Sequence, residues 1–125
     1  MIRVILCDDH EMLRRGIRET LSEAPDIEIM AEAGSYAEVM AAIAAEPCDV
    51  LVLDLNLPDK GGLDVLNALR ESKSSVRTLV VSMFPEDQYA LLCLRAGAKG
   101  YLNKAGDPAD LITAVRAVAQ IPAGA

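Results

Sequence analysis

The fold is decided by the stretch Val50-Leu51-Val52-Leu53-Asp54, in which an apolar run ends in a carboxylate. A continuous run of valine and leucine predicts a strand that is buried on both faces, as in parallel sheets. Packing does not explain an aspartate at the end of such a strand, because acidic side chains are seldom buried without a partner. Asp54 is therefore the first candidate for a functional residue.

Short apolar runs alternate with amphipathic helical patterns along the rest of the chain. The predicted strands are residues 2–7, 28–32, 49–53, 77–81 and 99–102. The fourth helix is expected over 85–95, and Asp107-Pro108 supplies an N-cap and a first-turn proline for the fifth. This alternation predicts an α/β fold with right-handed crossovers, in which helices cover both faces of a parallel sheet. The favoured form is a flavodoxin-like (βα)5 doubly wound sheet of strand order 2-1-3-4-5, with strand 28–32 at an edge.

Polar residues follow the ends of several predicted strands, where a sheet of this kind has its functional crevice. They are Asp8, Asp9, Asp54, Ser82 and Lys104. Three neighbouring aspartates repel one another when ionised, and a divalent cation removes that cost. Mg²⁺ fits, because it is held by one or two carboxylates together with waters and phosphate oxygens. The alternative is that Asp8 or Asp9 only caps the first helix.

With a cation in place, Asp54 has the chemistry of a nucleophile. A carboxylate that attacks phosphorus gives an acyl phosphate, and the transfer mainly needs positioning and neutral phosphoryl oxygens. Lys104 can neutralise one oxygen, and Ser82 can donate a hydrogen bond to another. Alone, Lys104 would be a solvated loop lysine and Ser82 a strand-end hydroxyl that bonds to the backbone. The hypothesis therefore depends on these residues converging.

Two residues near this group have ordinary interpretations. His10 is the sole histidine and follows the first acids directly. On its own it is more typical of a polar residue at a helix start than of a ligand or base. Tyr101 lies on the fifth predicted strand, where a core or interface aromatic is the ordinary expectation.

Composition limits the partners and the compartment. The chain has 125 residues, a net charge of −7 and a pI of about 4.6. This acidity disfavours direct contact with nucleic acid or with an anionic membrane surface. The three cysteines are far apart, which predicts reduced thiols, and no apolar stretch would span a membrane. We expect a cytoplasmic protein in which residues 1–120 form one domain and 121–125 begin a linker or tail.

The motifs together resemble a known family. The pattern Asp8-Asp9, Asp54-x-x-x-Pro58-x-x-x-Gly62, Ser82 and Gly100-Tyr101-x-x-Lys104 is similar to the receiver domain of bacterial two-component response regulators. The runs Cys7-Asp8-Asp9-His10 and Gly97-Ala98-Lys99-Gly100-Tyr101-Leu102 resemble the subgroup with a C-terminal helix-turn-helix domain of the LuxR or NarL type.

The resemblance implies a role for each matching residue. Asp54 would accept a phosphoryl group from the phosphohistidine of a sensor histidine kinase or from a phosphotransfer protein. Asp9, Asp54 and the main-chain carbonyl of Asn56 would bind Mg²⁺, with Asp8 acting partly through water. Ser82 and Tyr101 would form a switch pair that changes the face made by helix 4, strand 5 and helix 5.

The resemblance also implies how the output would work. Transcription would be controlled through a C-terminal DNA-binding domain that this chain lacks, so the chain itself would not contact DNA. Dimerisation upon phosphorylation stays open. We expect the chain to catalyse only its own phosphorylation and dephosphorylation, and therefore not to be an enzyme acting on a separate substrate.

Two other interpretations remain at this point. A phosphatase of the haloacid-dehalogenase type also combines an aspartate nucleophile, Mg²⁺, a Ser or Thr and a Lys. That family needs a second aspartate two residues after the nucleophile, where this chain has Asn56, and its nucleophile usually ends the first strand rather than the third. The other alternative is a receiver-like domain that works without phosphorylation, which the presence of all the required residues disfavours.

Overall fold

Five strands and five helices alternate in the computed structural model, which describes residues 1–84, 86–104 and 106–122. The strands are β1 (Ile2–Cys7), β2 (Ile27–Ala33), β3 (Val50–Leu53), β4 (Arg77–Ser82) and β5 (Gly100–Asn103). The helices are α1 (Glu11–Ser22), α2 (Tyr36–Ala45), α3 (Gly62–Glu71), α4 (Glu86–Arg95) and α5 (Pro108–Ala119). The expected first residue of the fourth helix, Pro85, and residues 123–125 of the expected tail lie outside the described residues.

All strand pairs are parallel, and the strand order is β2-β1-β3-β4-β5. This confirms the predicted doubly wound flavodoxin-like fold. The register places Cys7 opposite Leu53 and Leu53 opposite Val80, so β1, β3 and β4 end close together. The residues that follow these strands therefore share one edge of the sheet.

The central strand β3 is buried on both faces, as its composition predicts. Val50 and Val52 belong to the core beneath α1 and α5, whereas Leu51 and Leu53 belong to the core beneath the other helices. None of the four side chains is more than 3% exposed. Buried apolar surface stabilises a fold by about 25 cal/mol per Å². The burial of β3 therefore holds in place the strand that leads into Asp54.

The strand boundaries differ slightly from the predicted ones. β4 extends one residue further and includes Ser82, because Ser82 pairs with Asn103 of β5. β2 lies at the edge, as expected, and its register with β1 shifts between Val4 and Ile5. At the start of α5 the Asp107 carboxylate accepts a hydrogen bond of 2.9 Å from the Ala109 N–H, as the sequence predicts.

The cysteines are all unbonded thiols, with Cys7 and Cys93 buried and Cys48 partly buried. Burial raises the pKa of Cys7 to about 12 and that of Cys48 to about 11, so neither is a reactive thiolate at neutral pH. Within the described part of the chain, every helix is too short or too polar to cross a bilayer.

Candidate functional site

Two buried carboxylates lie side by side at the carboxyl edge of the sheet. Asp8 follows β1 and is 2% exposed, and Asp54 follows β3 and is 4% exposed. The Asp54 N–H donates to the Cys7 carbonyl at 2.9 Å, which holds the two strand ends together. Burying two like charges this closely is costly, so the site must contain groups that offset them.

Lys104 supplies part of this compensation. Its Nζ atom lies 2.9 Å from Asp8 Oδ2 and 3.4 Å from Asp54 Oδ1, and its side chain is 7% exposed. The Lys104 N–H donates to the Ser82 carbonyl at 2.8 Å, which fixes the loop after β5 against the end of β4. One ammonium group thus contacts one oxygen of each buried carboxylate.

The second oxygen of Asp54 has no such contact. Among the residues that the structure describes, none donates a hydrogen bond to Asp54 Oδ2, which is buried. Burial raises the pKa of Asp54 above its ordinary value, and the nearby Asp8 adds to this, whereas Lys104 and the backbone N–H of Asn56 lower it. A buried acceptor without a donor is unusual in native proteins, so this oxygen is a candidate ligand atom for a cation.

Four side chains, including that of Asp54, form a cluster of possible metal ligands. Asp8, Asp9, His10 and Asp54 each offer one ligand atom, and these atoms all lie within 4.8 Å of one another. Carboxylate oxygens are the ligands that Mg²⁺ prefers, and the Asp54 carboxylate would give the cation a buried ligand. The residues present therefore fit a divalent cation.

His10 lies closer to the acids than its interpretation as a helix-start residue requires. Its Nδ1 atom lies 3.1 Å from Asp9 Oδ1 and 3.5 Å from Asp8 Oδ1. His10 is the N-cap of α1, as its interpretation as a helix-start residue requires, but its side chain makes no capping hydrogen bond. The only sequence signal for its place in the cluster was its position directly after the two acids.

Asn56 lies in the loop after β3 and is exposed. Its backbone N–H interacts with the Asp54 carboxylate. The role expected for its main-chain carbonyl as a ligand stays a prediction.

Ser82 and Tyr101 are linked through the backbone of Phe84. Ser82 is 1% exposed, and its Oγ accepts a hydrogen bond of 3.0 Å from the Phe84 N–H. The Tyr101 hydroxyl donates to the Phe84 carbonyl at 2.8 Å. Ser82 thus makes the backbone contact expected of a strand-end hydroxyl, and the same peptide segment connects it to Tyr101.

Two contacts outside the predicted site hold the loops that carry it. The Asp59 carboxylate accepts hydrogen bonds from the Tyr36 and Ala37 N–H groups at 2.8 and 3.1 Å, which fastens the loop after Asp54 to the start of α2. These backbone donors lower the pKa of Asp59 to about 2. Arg14 Nη1 donates to the Asp8 carbonyl at 2.7 Å and fixes the loop after β1.

Gly62 allows a close approach at the start of α3. A Cβ atom at this position would lie 2.8 Å from the Asp54 carbonyl oxygen and 2.9 Å from Leu55 Cα. Both are backbone atoms, so a side chain here would displace the loop that follows Asp54. Gly62 therefore serves the geometry of the site as well as the start of α3.

Comparison with known proteins relates the whole arrangement to one family. The family described as "Response regulator receiver domain" matches residues 4–116. The DNA-binding transcriptional activator DevR/DosR of Mycobacterium tuberculosis is 38% identical over 118 residues, which are 94% of this chain and 54% of that protein. The nitrate/nitrite response regulator NarL of Escherichia coli K12 is 37% identical over 116 residues, which are 93% of this chain and 54% of that protein. The chain thus spans about half the length of these curated relatives.

Solved structures agree with the sequence relatives. The signal receiver domain of a NarL response regulator from Mycobacterium tuberculosis superimposes with a TM-score of 0.90 at 30% identity, covering 95% of this chain and 96% of that one. A LuxR-family response regulator from Aurantimonas sp. SI85-9A1 gives a TM-score of 0.88 at 33% identity, covering 94% and 84%. The likeness therefore extends over nearly all of the chain.

Proposed function

The chain belongs to the response regulator receiver domain family, and on that premise we propose that Asp54 accepts a phosphoryl group from a phosphohistidine and thereby switches an output. The observation that carries the proposal is the state of the Asp54 carboxylate. One of its oxygens faces Lys104 at 3.4 Å, and the other is buried with no hydrogen-bond donor from the described part of the chain. The carboxylate also lies in a cluster with the acids of the β1–α1 loop. A carboxylate held in this way is poised for a reaction at the sheet edge.

The reaction is a transfer between two nucleophiles. An oxygen of Asp54 forms a bond to phosphorus, while the bond between phosphorus and the imidazole nitrogen of the donor breaks and leaves the histidine. Lys104, released in part from the carboxylates, neutralises charge on the phosphoryl oxygens. The chain therefore catalyses only its own modification, which distinguishes it from an enzyme with a separate substrate.

The proposed cation is Mg²⁺, held by the carboxylates of Asp8, Asp9 and Asp54 and by the main-chain carbonyl of Asn56. When bound, it supplies positive charge that neutralises phosphoryl oxygens during the transfer. The acids of the β1–α1 loop hold and orient it. Arg14 contributes indirectly, because it fixes the backbone of Asp8 through the 2.7 Å hydrogen bond to that carbonyl.

The proposed switch passes through Phe84. A phosphoryl group on Asp54 would attract the Ser82 hydroxyl as a donor, and Ser82 would then give up its bond to the Phe84 N–H. The Phe84 carbonyl belongs to the same segment and holds the Tyr101 hydroxyl at 2.8 Å. A local charge change would in this way shift Tyr101 and the face formed by α4, β5 and α5.

The proposed donor is a sensor histidine kinase or a phosphotransfer protein that docks beside Lys104. An apolar groove lies there between α1 and the start of α5, and its lining includes Met12, Leu13 and Pro108. Met12 is 88% exposed and the adjacent Leu13 is 43% exposed, so the groove offers contiguous apolar surface to a partner. A donor bound in this groove would bring its phosphohistidine next to the edge that carries Asp54.

The proposed output resides outside this chain. Residues 1–120 would form the receiver, and 121–125 would begin a linker to a C-terminal DNA-binding domain, so that the chain itself does not contact DNA. The full-length relative DevR/DosR is named a DNA-binding transcriptional activator, which supports this arrangement. We also propose a cytoplasmic location, with phosphorylation favouring a homodimer.

The proposal is tested by incubating the chain with Mg²⁺ and acetyl phosphate and measuring its intact mass. We expect one labile phosphoryl adduct, lost in Asp54→Asn and in EDTA. A parallel assay with p-nitrophenyl phosphate tests for a haloacid-dehalogenase-type phosphatase. Steady turnover of this ester without an adduct would favour the phosphatase, and neither adduct nor turnover would favour a receiver that works without phosphorylation.

A further inference from the structure

We propose that His10 is a ligand of the same cation site and that it makes the site prefer first-row transition-metal cations, such as Ni²⁺ or Co²⁺, over Mg²⁺. This inference rests on the metal site of the proposed function, but it does not require Asp54 to be phosphorylated. The ligands named in the proposed function are all oxygens, whereas His10 would add a nitrogen ligand.

The distances match those of ligands around one small cation. With metal–ligand bonds of about 2.1 Å, adjacent ligands of an octahedral ion lie about 3 Å apart. His10 Nδ1 lies 3.1 Å from Asp9 Oδ1 and 3.5 Å from Asp8 Oδ1. All four candidate ligand atoms, including that of Asp54, lie within 4.8 Å of one another. A single cation can therefore contact all four groups after small side-chain adjustments.

Lys104 leaves the required oxygens available. It binds Asp8 through Oδ2 and faces Asp54 Oδ1. Asp8 Oδ1 instead lies 3.5 Å from His10 Nδ1, and Asp54 Oδ2 has no hydrogen-bond donor within residues 1–84, 86–104 and 106–122. The Asp54 side chain is only 5% exposed, and water cannot readily satisfy its second oxygen. The burial of this oxygen is an observation separate from the cluster of acids. A buried acceptor of this kind favours binding of a cation.

The backbone holds His10 in place for this role. Its N–H donates to Asp8 Oδ1 at 2.9 Å, which anchors the base of the side chain beside the acids. The imidazole is 63% exposed and makes no capping hydrogen bond to α1. Neither core packing nor helix capping therefore explains its position. Its position beside two carboxylates has a clear use only as a ligand or as a charge partner.

A nitrogen ligand changes which ions bind best. Imidazole suits nickel, copper, zinc and iron, whereas Mg²⁺ prefers oxygen ligands and retains several waters. Adding His10 to the carboxylates therefore strengthens transition-metal binding much more than Mg²⁺ binding. Because the ions share the same carboxylates, a transition metal would displace Mg²⁺ from beside Asp54 and so couple the switch to metal supply.

The test compares metal affinities of the full chain and of His10→Asn by titration calorimetry with NiCl₂ and with MgCl₂. Asparagine is a favoured N-cap residue, so the start of α1 is preserved. We expect Ni²⁺ affinity to fall roughly 10- to 100-fold, a range typical of a lost supporting group at a metal site, while Mg²⁺ affinity changes by about twofold or less. Equal losses for both ions, or no loss for Ni²⁺, would overturn the inference.

A second measurement reports on contact directly. His10 is the only histidine, so its imidazole NMR signals are unambiguous. One equivalent of diamagnetic Zn²⁺ should shift the ¹⁵N signal of Nδ1 strongly and that of Nε2 much less, and Asp54→Asn should weaken this effect; an unchanged Nδ1 signal would overturn the inference. The acetyl phosphate assay on the unmodified chain with Mg²⁺ is scored separately. If His10→Asn selectively lowers Ni²⁺ affinity but no phosphoryl adduct forms, only the proposed function is contradicted. If the adduct forms but the loss of affinity is not selective for Ni²⁺, only the inference about His10 is contradicted.

Discussion

Lys104 donates a hydrogen bond of 2.9 Å to Asp8 Oδ2, although 96 residues separate the two in sequence. This contact joins the loop after β5 to the loop after β1 across the edge of the sheet. Because the same ammonium group also faces Asp54, one positive charge serves two buried carboxylates. When no metal ion is bound, the two carboxylates therefore carry one more negative charge than Lys104 can neutralise. We expect the stability of the fold to depend on the charges of these three groups.

Replacing Lys104 by methionine should destabilise the protein strongly. The variant leaves Asp8 and Asp54 buried without the Lys104 ammonium group. Breaking a buried ion pair in this way costs about 3–5 kcal/mol. Urea unfolding at pH 7 in EDTA measures the change. Lys60→Met is the matched control, because Lys60 is exposed and its ammonium group lies over the Tyr36 ring at 4.7 Å, away from the buried carboxylates. The hydrogen bond from the Lys60 backbone N–H to Asp59 is kept in this variant. Similar losses in both variants would contradict the central place given to the Lys104–Asp8 pair.

Asp54→Asn should have the opposite effect on stability. Burial raises the pKa of Asp54, so the folded state binds this proton more tightly than the unfolded chain does. The group therefore contributes stability at low pH that is lost as pH rises through its folded pKa, and ionised Asp54 is a cost at pH 7. Removing the charge should stabilise the metal-free protein by roughly 0.5–2 kcal/mol, the range that single stabilising substitutions commonly reach.

Thermal unfolding with and without Mg²⁺ checks this prediction for Asp54. In EDTA the variant should melt higher than the unmodified chain. Saturating Mg²⁺ should raise the melting temperature of the unmodified chain and change that of Asp54→Asn much less, because binding to the folded state is what stabilises it. A variant that melts lower in EDTA would show that Asp54 is satisfied without a cation.

The contact of Asp59 with the start of α2 should make stability fall in acid. Its pKa is lowered from 3.8 to about 2 by the backbone donors of Tyr36 and neighbouring residues. Its contribution is therefore complete above about pH 4 and is lost as pH falls toward 2. Asp59→Ala should lower stability at pH 7, and its difference from the unmodified chain should shrink between pH 4 and pH 2.

Urea unfolding at several pH values measures this difference. Glu71→Ala, which removes an exposed acid from the last turn of α3, controls for the general effect of charge on an acidic chain. A difference for Asp59→Ala that stays constant across the acid range would show that its carboxylate does not hold the loop.

Two glycine-to-alanine substitutions should change stability in opposite directions. At Gly62 a Cβ would lie 2.8 Å from the Asp54 carbonyl oxygen, so Gly62→Ala should destabilise the protein and weaken Mg²⁺ binding. At Gly16 in α1 a Cβ would meet no atom within 4 Å, so Gly16→Ala should stabilise by roughly 0.5–1 kcal/mol. Unfolding curves and Mg²⁺ titrations of both variants provide the check, and a Gly62→Ala variant with unchanged Mg²⁺ affinity would contradict it.

The strands could be predicted because a strand that is buried on both faces has a continuous run of apolar residues in the sequence. Val50 to Leu53 is a continuous apolar run, and the structure buries all of it. The placement of Asp8, Asp54 and Lys104 at one edge then followed from the parallel order. These features depend on periodicity and topology, which the sequence expresses locally.

The loop contacts could not be predicted in the same way. Asp59 meets Tyr36 across 23 residues, and Arg14 reaches the carbonyl of Asp8 rather than a side chain. Such contacts depend on the path of each loop, for which a single sequence carries no periodic signal. The same reason explains why His10 was interpreted only as a helix-start residue, because its approach to Asp9 depends on how the β1–α1 loop turns.

The central claim is that Asp54 itself forms the acyl phosphate, and the most direct test locates the modified residue. The chain is treated with acetyl phosphate and Mg²⁺, reduced with borohydride, which converts phosphorylated aspartate to homoserine, and digested for peptide mass spectrometry. We predict homoserine at position 54 and at no other aspartate, with none formed in EDTA. Homoserine at Asp8 or Asp9, or aspartate retained at position 54 under conditions that phosphorylate a known receiver domain, would contradict the account.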